Sequence, residues 1–196
     1  MPELATQLRV AAAEFTALVC TLGPADLTAR TPCDGYDVRG LVNHLLYWGP
    51  WLDAAGRKQD APVAAAGERE TDLVGDDWAA ALEKQTEGLV DVFARPEAWE
   101  GMTLLGGTEL PASVVGEMVL GEFVLHGWDL ATATGRQLPC VPEVAEALYA
   151  SVIRMGDQAR AMGVYGPEVP VSPEAPLLAR VLGAAGRDPG WGSRVS

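Results

Sequence analysis

The amino-acid sequence predicts an all-α fold: a bundle of four main helices with one long loop and a short helical tail. Two features predict it. Apolar residues recur at intervals of three and four over long stretches, the period of a helix with one buried face. Glycine and proline collect between those stretches, where they act as stops and turns. The 196 residues show no internal repeat and no low-complexity linker, so residues 1–196 are read as a single domain.

Residues 3–22 give the first helix, with Leu4, Leu8, Ala11, Phe15, Leu18 and Val19 on its stripe and Gly23-Pro24 as its stop. Asp37 is the expected N-cap of the second helix, whose stripe is Val38, Leu41, Val42, Leu45, Leu46 and Trp48. Pro50 removes a backbone donor, so a kink is expected near Tyr47, with Trp51, Leu52 and Ala55 carrying the pattern on. Residues 56–75 are polar, alanine-rich and aperiodic, a long loop of the kind that often carries function. The third helix covers about 76–94, capped by Asp76 or Asp77, with Trp78, Leu82, Leu89 and Phe93 inward.

Residues 95–110 hold Trp99 and several glycines. Met102-Thr103-Leu104-Leu105 has an extended character, yet the segment is read as irregular rather than as a strand pair. Pro111 opens a long helix to about Thr134, with Val115, Met118, Val119, Glu122, His126, Asp129 and Ala133 down one face. Gly116, Gly121 and Gly127 each weaken that helix by ~1 kcal/mol relative to alanine, which points to close neighbouring helices. Gly135 ends it. A further helix follows over 144–162, and the Gly- and Pro-rich tail carries a short helical pattern at 175–184.

Charge narrows the function. The chain carries 14 Lys and Arg against 27 Asp and Glu, a net charge of -13. It lacks the basic footprint of a nucleic-acid binder, and an anionic membrane surface is not an expected partner. No run of ~18 uncharged apolar residues marks a membrane span. The first ten residues lack the basic start and apolar core of a signal peptide, so the expected location is cytoplasmic. Cys20, Cys33 and Cys140 are odd in number and form no C-x-x-C pair, so reduced thiols are expected. Cys33 alone stands near the start of the second helix.

The chemistry concentrates in Glu122-Phe-Val-Leu-His126-Gly-Trp-Asp129. At ~100° per residue, Glu122 and His126 share a helix face and Asp129 stays on it. The only other histidine, His44, lies on the second helix with Leu41, Trp48 and Trp51. Two histidines and one carboxylate can hold a divalent metal and leave a coordination position open. The same residues are also readable as a polar core cluster or a solvated pair, and spacing leaves both readings open. Asn43 points to another side of its helix.

Four stretches resemble the DinB-like superfamily of metal-binding helical bundles, and within it the mycothiol-dependent maleylpyruvate isomerase N-terminal domain. They are Thr31-Pro-Cys-Asp-Gly-Tyr-Asp-Val-Arg-Gly-Leu-Val-Asn-His44-Leu, Glu122 to Ala131, Thr132-Ala-Thr-Gly-Arg136 and Gly186-Arg-Asp-Pro-Gly-Trp191. The likeness spans about residues 3–191. Tyr36 stands where the family more often has Trp.

This resemblance implies a DinB-like bundle in which His44, Glu122 and His126 bind zinc, or else Ni, Mn or Fe. It implies a low-molecular-weight thiol, mycothiol in the nearest branch, as cosubstrate. The metal would activate the thiol toward a small electrophile, in a transferase or isomerase reaction. Asp129 is then a catalytic candidate, either a partner of a ligand histidine or a proton acceptor; a surface aspartate is its plain alternative. Trp48 and Trp51 are candidates for the wall of a cofactor pocket, and Arg39 and Arg136 for contacts to a charged thiol. The isomerase proper is expected to carry a further C-terminal domain that this chain lacks, which favours a stand-alone thiol transferase. The rival reading is a non-catalytic metal- or ligand-binding regulatory or stress protein. A homodimer is possible in either case.

Overall fold

The computed structural model describes residues 2–63 and 66–192; Met1, residues 64 and 65 of the long loop, and residues 193–196 lie outside the described residues. The apolar stripes become helices α1 Pro2–Val19, α2 Val38–Arg57 and α3 Trp78–Phe93. Next, α4 Ala112–Gly121, a π-helical turn Glu122–His126 and α5 Gly127–Ala133 follow one another as one rod. Helices α6 Pro142–Ala161 and α7 Leu177–Ala184 complete the helical part.

The stripes explain the packing. α1 and α2 each pack against both α3 and α4, so these four helices close a ring. Phe15, Leu41, Leu82, Phe93, Leu120 and Leu130 fill its centre and are almost wholly buried. α6 lies along α1 and α4, and α7 lies against α6.

Local chemistry sets the element ends. Asp37 caps α2, its Oδ1 accepting from the Gly40 amide at 2.7 Å. Pro50 sits inside α2, which nevertheless runs on to Arg57 and ends with Lys58 in the left-handed region, φ 55°. α1 stops at Val19, three residues earlier than the apolar pattern suggested.

Residues 95–110 depart from the irregular segment expected. Strands β1 Met102–Leu105 and β2 Thr108–Pro111 pair antiparallel, with Leu105 opposite Thr108. The turn between them is Gly106-Gly107, with φ of 58° and 82°. A two-residue hairpin turn of this kind requires positive φ at both central residues, and glycine alone adopts it freely. Thr103 faces inward, its hydroxyl donating to the Ala55 carbonyl at 2.6 Å. Because Pro111 belongs to β2, the rod starts at Ala112.

The expected close approaches occur at two of the three rod glycines. A Cβ at Gly116 would stand 2.3 Å from Cζ3 of Trp99, and one at Gly127 would stand 3.0 Å from Cδ2 of Leu138. At Gly121 the nearest atoms are at 4.0 Å, ordinary contact. Gly121 instead leads directly into the π-helical turn, a wider turn that occurs often at functional sites.

Gly116→Ala should therefore destabilise the protein by ~1–3 kcal/mol, since the buried Trp99 ring must shift to admit a methyl group. The urea midpoint measures this; an unchanged midpoint would show that the ring has room to move.

Candidate metal centre

Two elements deliver three side chains to one point. α2 brings His44 about two turns beyond its Asp37 cap, and the π-helical turn brings Glu122 and His126. Glu122 Oε2 lies 3.5 Å from His44 Nε2 and 3.6 Å from His126 Nε2. One donor atom from each of the three lies within 4.8 Å of the others. The imidazole rings meet edge to face, with centroids 5.1 Å apart.

Glu122 Oε2 is the one buried side-chain nitrogen or oxygen without a hydrogen-bond partner among the described residues. A buried polar atom left so is costly. The other nitrogen of each imidazole is engaged. His44 Nδ1 lies 3.2 Å from Glu68 Oε1, and His126 Nδ1 lies 3.1 Å from Asp129 Oδ2. A carboxylate at Nδ1 favours the proton there and turns the Nε2 lone pair toward Glu122. Three acceptors then converge with no protein donor between them, an arrangement that a metal cation satisfies. Donors bound tetrahedrally at about 2.0–2.1 Å stand about 3.3–3.4 Å apart. The residues present fit a small divalent ion.

Both outer carboxylates are themselves held. Glu68 accepts from the Tyr36 hydroxyl at 2.8 Å and from Trp48 Nε1 at 2.8 Å. Asp129 has no exposed surface and pairs with Arg187, from Nε at 3.0 Å and Nη2 at 2.9 Å. Burial pushes the Asp129 carboxyl up, but Arg187 and His126 outweigh it and hold the carboxyl below the usual range. Glu122 behaves likewise, with burial outweighed by the two histidines and Arg187. For His44, burial opposes the charged form, yet Glu122 and Glu68 raise its pKa overall.

The cluster forms one wall of a cavity of 560 Å³. Trp48 lines that cavity, together with the hairpin residues Leu105 and Leu110 and the tail segment Met162–Gly166. Trp51 is not among the lining residues. Its ring stacks on Tyr47 and lies 5.9 Å from that of Trp48. Arg39 and Arg136 do not reach the cavity: Arg39 pairs with Asp72 at 2.7 Å, and Arg136 with Asp26 at 3.2 Å. Cys33 does line it, but burial and the Asp129 charge push its thiol up to about 11, so it stays protonated at neutral pH and is a poor nucleophile.

Glu68 and Arg187 complete the centre and were not singled out by sequence. Glu68 comes from the long loop, 24 residues from His44, with no local pattern to mark it. Asn43 pins that loop: its Nδ2 donates to the Glu68 carbonyl at 3.2 Å, and its Oδ1 accepts from the Leu73 amide at 2.8 Å. Arg187 does have a signal, since it lies in the Gly186–Trp191 motif. The surface alternative for Asp129 is overturned by its complete burial.

Comparison with known proteins places this geometry in context. The family described as the mycothiol maleylpyruvate isomerase N-terminal domain matches residues 8–131, which include His44, Glu122, His126 and Asp129. Two Mycobacterium tuberculosis proteins, uncharacterized protein MT0763 of strain CDC 1551 / Oshkosh and uncharacterized protein Rv0738 of strain H37Rv, are each 26% identical over 175 residues. Those matches cover 88% of this chain and 91% of theirs. Crystal structures of the mycothiol-dependent maleylpyruvate isomerase and of a histidine-to-alanine mutant superpose with TM-scores of 0.66 at 18% and 17% identity. The superpositions cover 94% of this chain and 88% of those chains, and they show a shared DinB-like fold. By the match over residues 8–131, the chain belongs to the mycothiol maleylpyruvate isomerase N-terminal domain family.

Proposed function

We propose that the protein is a metal-dependent enzyme in which His44, Glu122 and His126 hold a divalent ion, zinc foremost, and that it catalyses thiol-dependent isomerisation or S-transfer on a small electrophile. The observation that carries this reading is the unpartnered, buried Glu122 Oε2 between two imidazole Nε2 atoms at a cavity wall. The donor set also suits Ni, Mn or Fe. The family's name supplies the thiol: mycothiol first, or another low-molecular-weight thiol.

A bound ion of this kind lowers the pKa of a coordinating thiol and polarises a carbonyl. The chain's own residues do the rest. Asp129 and Glu68 keep the Nδ1 protons in place and aim both Nε2 atoms inward. Asp129, fully buried, acts as a positioning residue rather than as a proton acceptor facing the substrate. Trp48 and the hairpin side chains wall the cavity and keep water from the reacting groups. Isomerisation and S-transfer share the first step, attack by the thiolate, and differ in whether the thiol is returned. The three free cysteines accord with a reducing, cytoplasmic setting, and no helix among the described residues is long and apolar enough to cross a membrane.

Elemental analysis of the purified protein should find about one divalent metal per chain. His44→Ala and His126→Ala should lose it while the far-ultraviolet circular dichroism stays helical; unchanged metal content would refute the ligand assignment. Metal binding without thiol-dependent consumption of any electrophile in a broad panel would favour the non-catalytic reading.

Asp129→Asn should weaken metal binding about 10–100-fold, the usual effect of removing a carboxylate behind a ligand histidine. It also leaves Arg187 buried and unpaired, so the unfolding free energy should fall by ~3–5 kcal/mol. Competition with a chelator and urea denaturation read the two effects separately. Undiminished metal affinity would show that His126 is oriented without Asp129.

A further inference from the structure

The cavity is unbalanced in charge. Arg187 is the one arginine or lysine lining it among the described residues, beside the histidines His44 and His126, and that guanidinium is occupied: Nε and Nη2 bond to Asp129, and Nη1 reaches the Ala185 carbonyl at 3.4 Å. Arg69 approaches from outside, with Cζ 5.7 Å from the Tyr36 ring centroid, and does not line the cavity. The acidic groups are met by histidines rather than by a further arginine or lysine of the lining: Glu122 lies between His44 and His126, and Glu68 beside His44. Glu122 lines the cavity, Asp34 stands exposed at its rim, and Glu68 lies directly behind His44 and Trp48. These three charges exceed the two of a divalent ion, so the site stays net negative when loaded. The chain around it carries a net charge of -13.

The remaining lining is apolar, with Leu52, Leu105, Leu110, Met118 and Val164 on the walls. Thr108 and Tyr165 add uncharged, hydroxyl-bearing residues to the lining. At 560 Å³ the space suits a ligand of drug-like size.

We propose that this cavity selects an uncharged electrophile with an apolar body and rejects carboxylate-bearing ones. The proposal rests on the reading of the cavity as the substrate site. It separates this chain from the solved isomerases of the same fold, which are named for maleylpyruvate, a compound with two carboxylates. Repulsion at such distances in a partly desolvated site costs about a factor of ten in affinity per ligand charge.

Methyl cinnamate and cinnamate provide the test, since they share one apolar body and differ by one charge. Calorimetric titration of the full-length protein, with zinc supplied and after chelation, should show the ester binding about tenfold tighter than the acid. Asp34→Lys, an exposed change at the rim, should reduce that ratio severalfold. Cinnamate binding as tightly as its ester, an unchanged ratio in Asp34→Lys, or binding of neither compound would overturn the proposal. The metal content measured on the same samples decides the functional reading independently: a protein that holds no metal but still prefers the ester would keep the cavity's selectivity and lose the metal mechanism.

Discussion

One buried carboxylate oxygen organises this molecule. Glu122 Oε2 sits between two imidazole nitrogens with no donor to satisfy it. Leaving it so would cost the fold free energy of the order of 1–3 kcal/mol or more. A cation at the meeting point, as proposed, would turn that cost into binding energy. The features around it then acquire a common reason. The π-helical turn sets Glu122 and His126 on one side, and the capped start of α2 fixes His44 on the other.

Support for the centre comes from the parts of the chain with the least regular structure. The long loop supplies Glu68 behind His44, and the C-terminal tail supplies Arg187 behind Asp129 and His126. Each acts on the side of the imidazole that faces away from the meeting point. The bundle provides rigid positions, while loop and tail provide orientation and charge balance. The buried Asp129–Arg187 pair therefore ties the tail to the rod as well as aligning a histidine.

The helical periods were strong enough to read directly, because each main helix buries one continuous stripe. The triad of His44, Glu122 and His126 was legible for a related reason: two of its members are four residues apart on one helix, and the chain has no other histidine. The hairpin was missed although Gly106-Gly107 signalled it, because its strands are only four residues long and β1 turns Met102 and Leu104 outward while burying Thr103. Glu68 could not be read at all. Its position depends on how a loop closes onto α2 through Asn43, and that is a tertiary event. Trp48 and Trp51 look equivalent by helical spacing. The aromatic cluster with Tyr47 nevertheless leaves only Trp48 on the cavity wall.

X-ray absorption at the metal edge of the zinc-loaded protein tests the central claim most directly. A second set of groups, Cys33 with His126 and Asp129, also lies within 4.8 Å and offers a rival shell containing sulfur. The account predicts a shell of nitrogen and oxygen only, at about 2.0–2.2 Å, with imidazole scattering from two histidines. A sulfur at about 2.3 Å, or scattering from one imidazole alone, would contradict it.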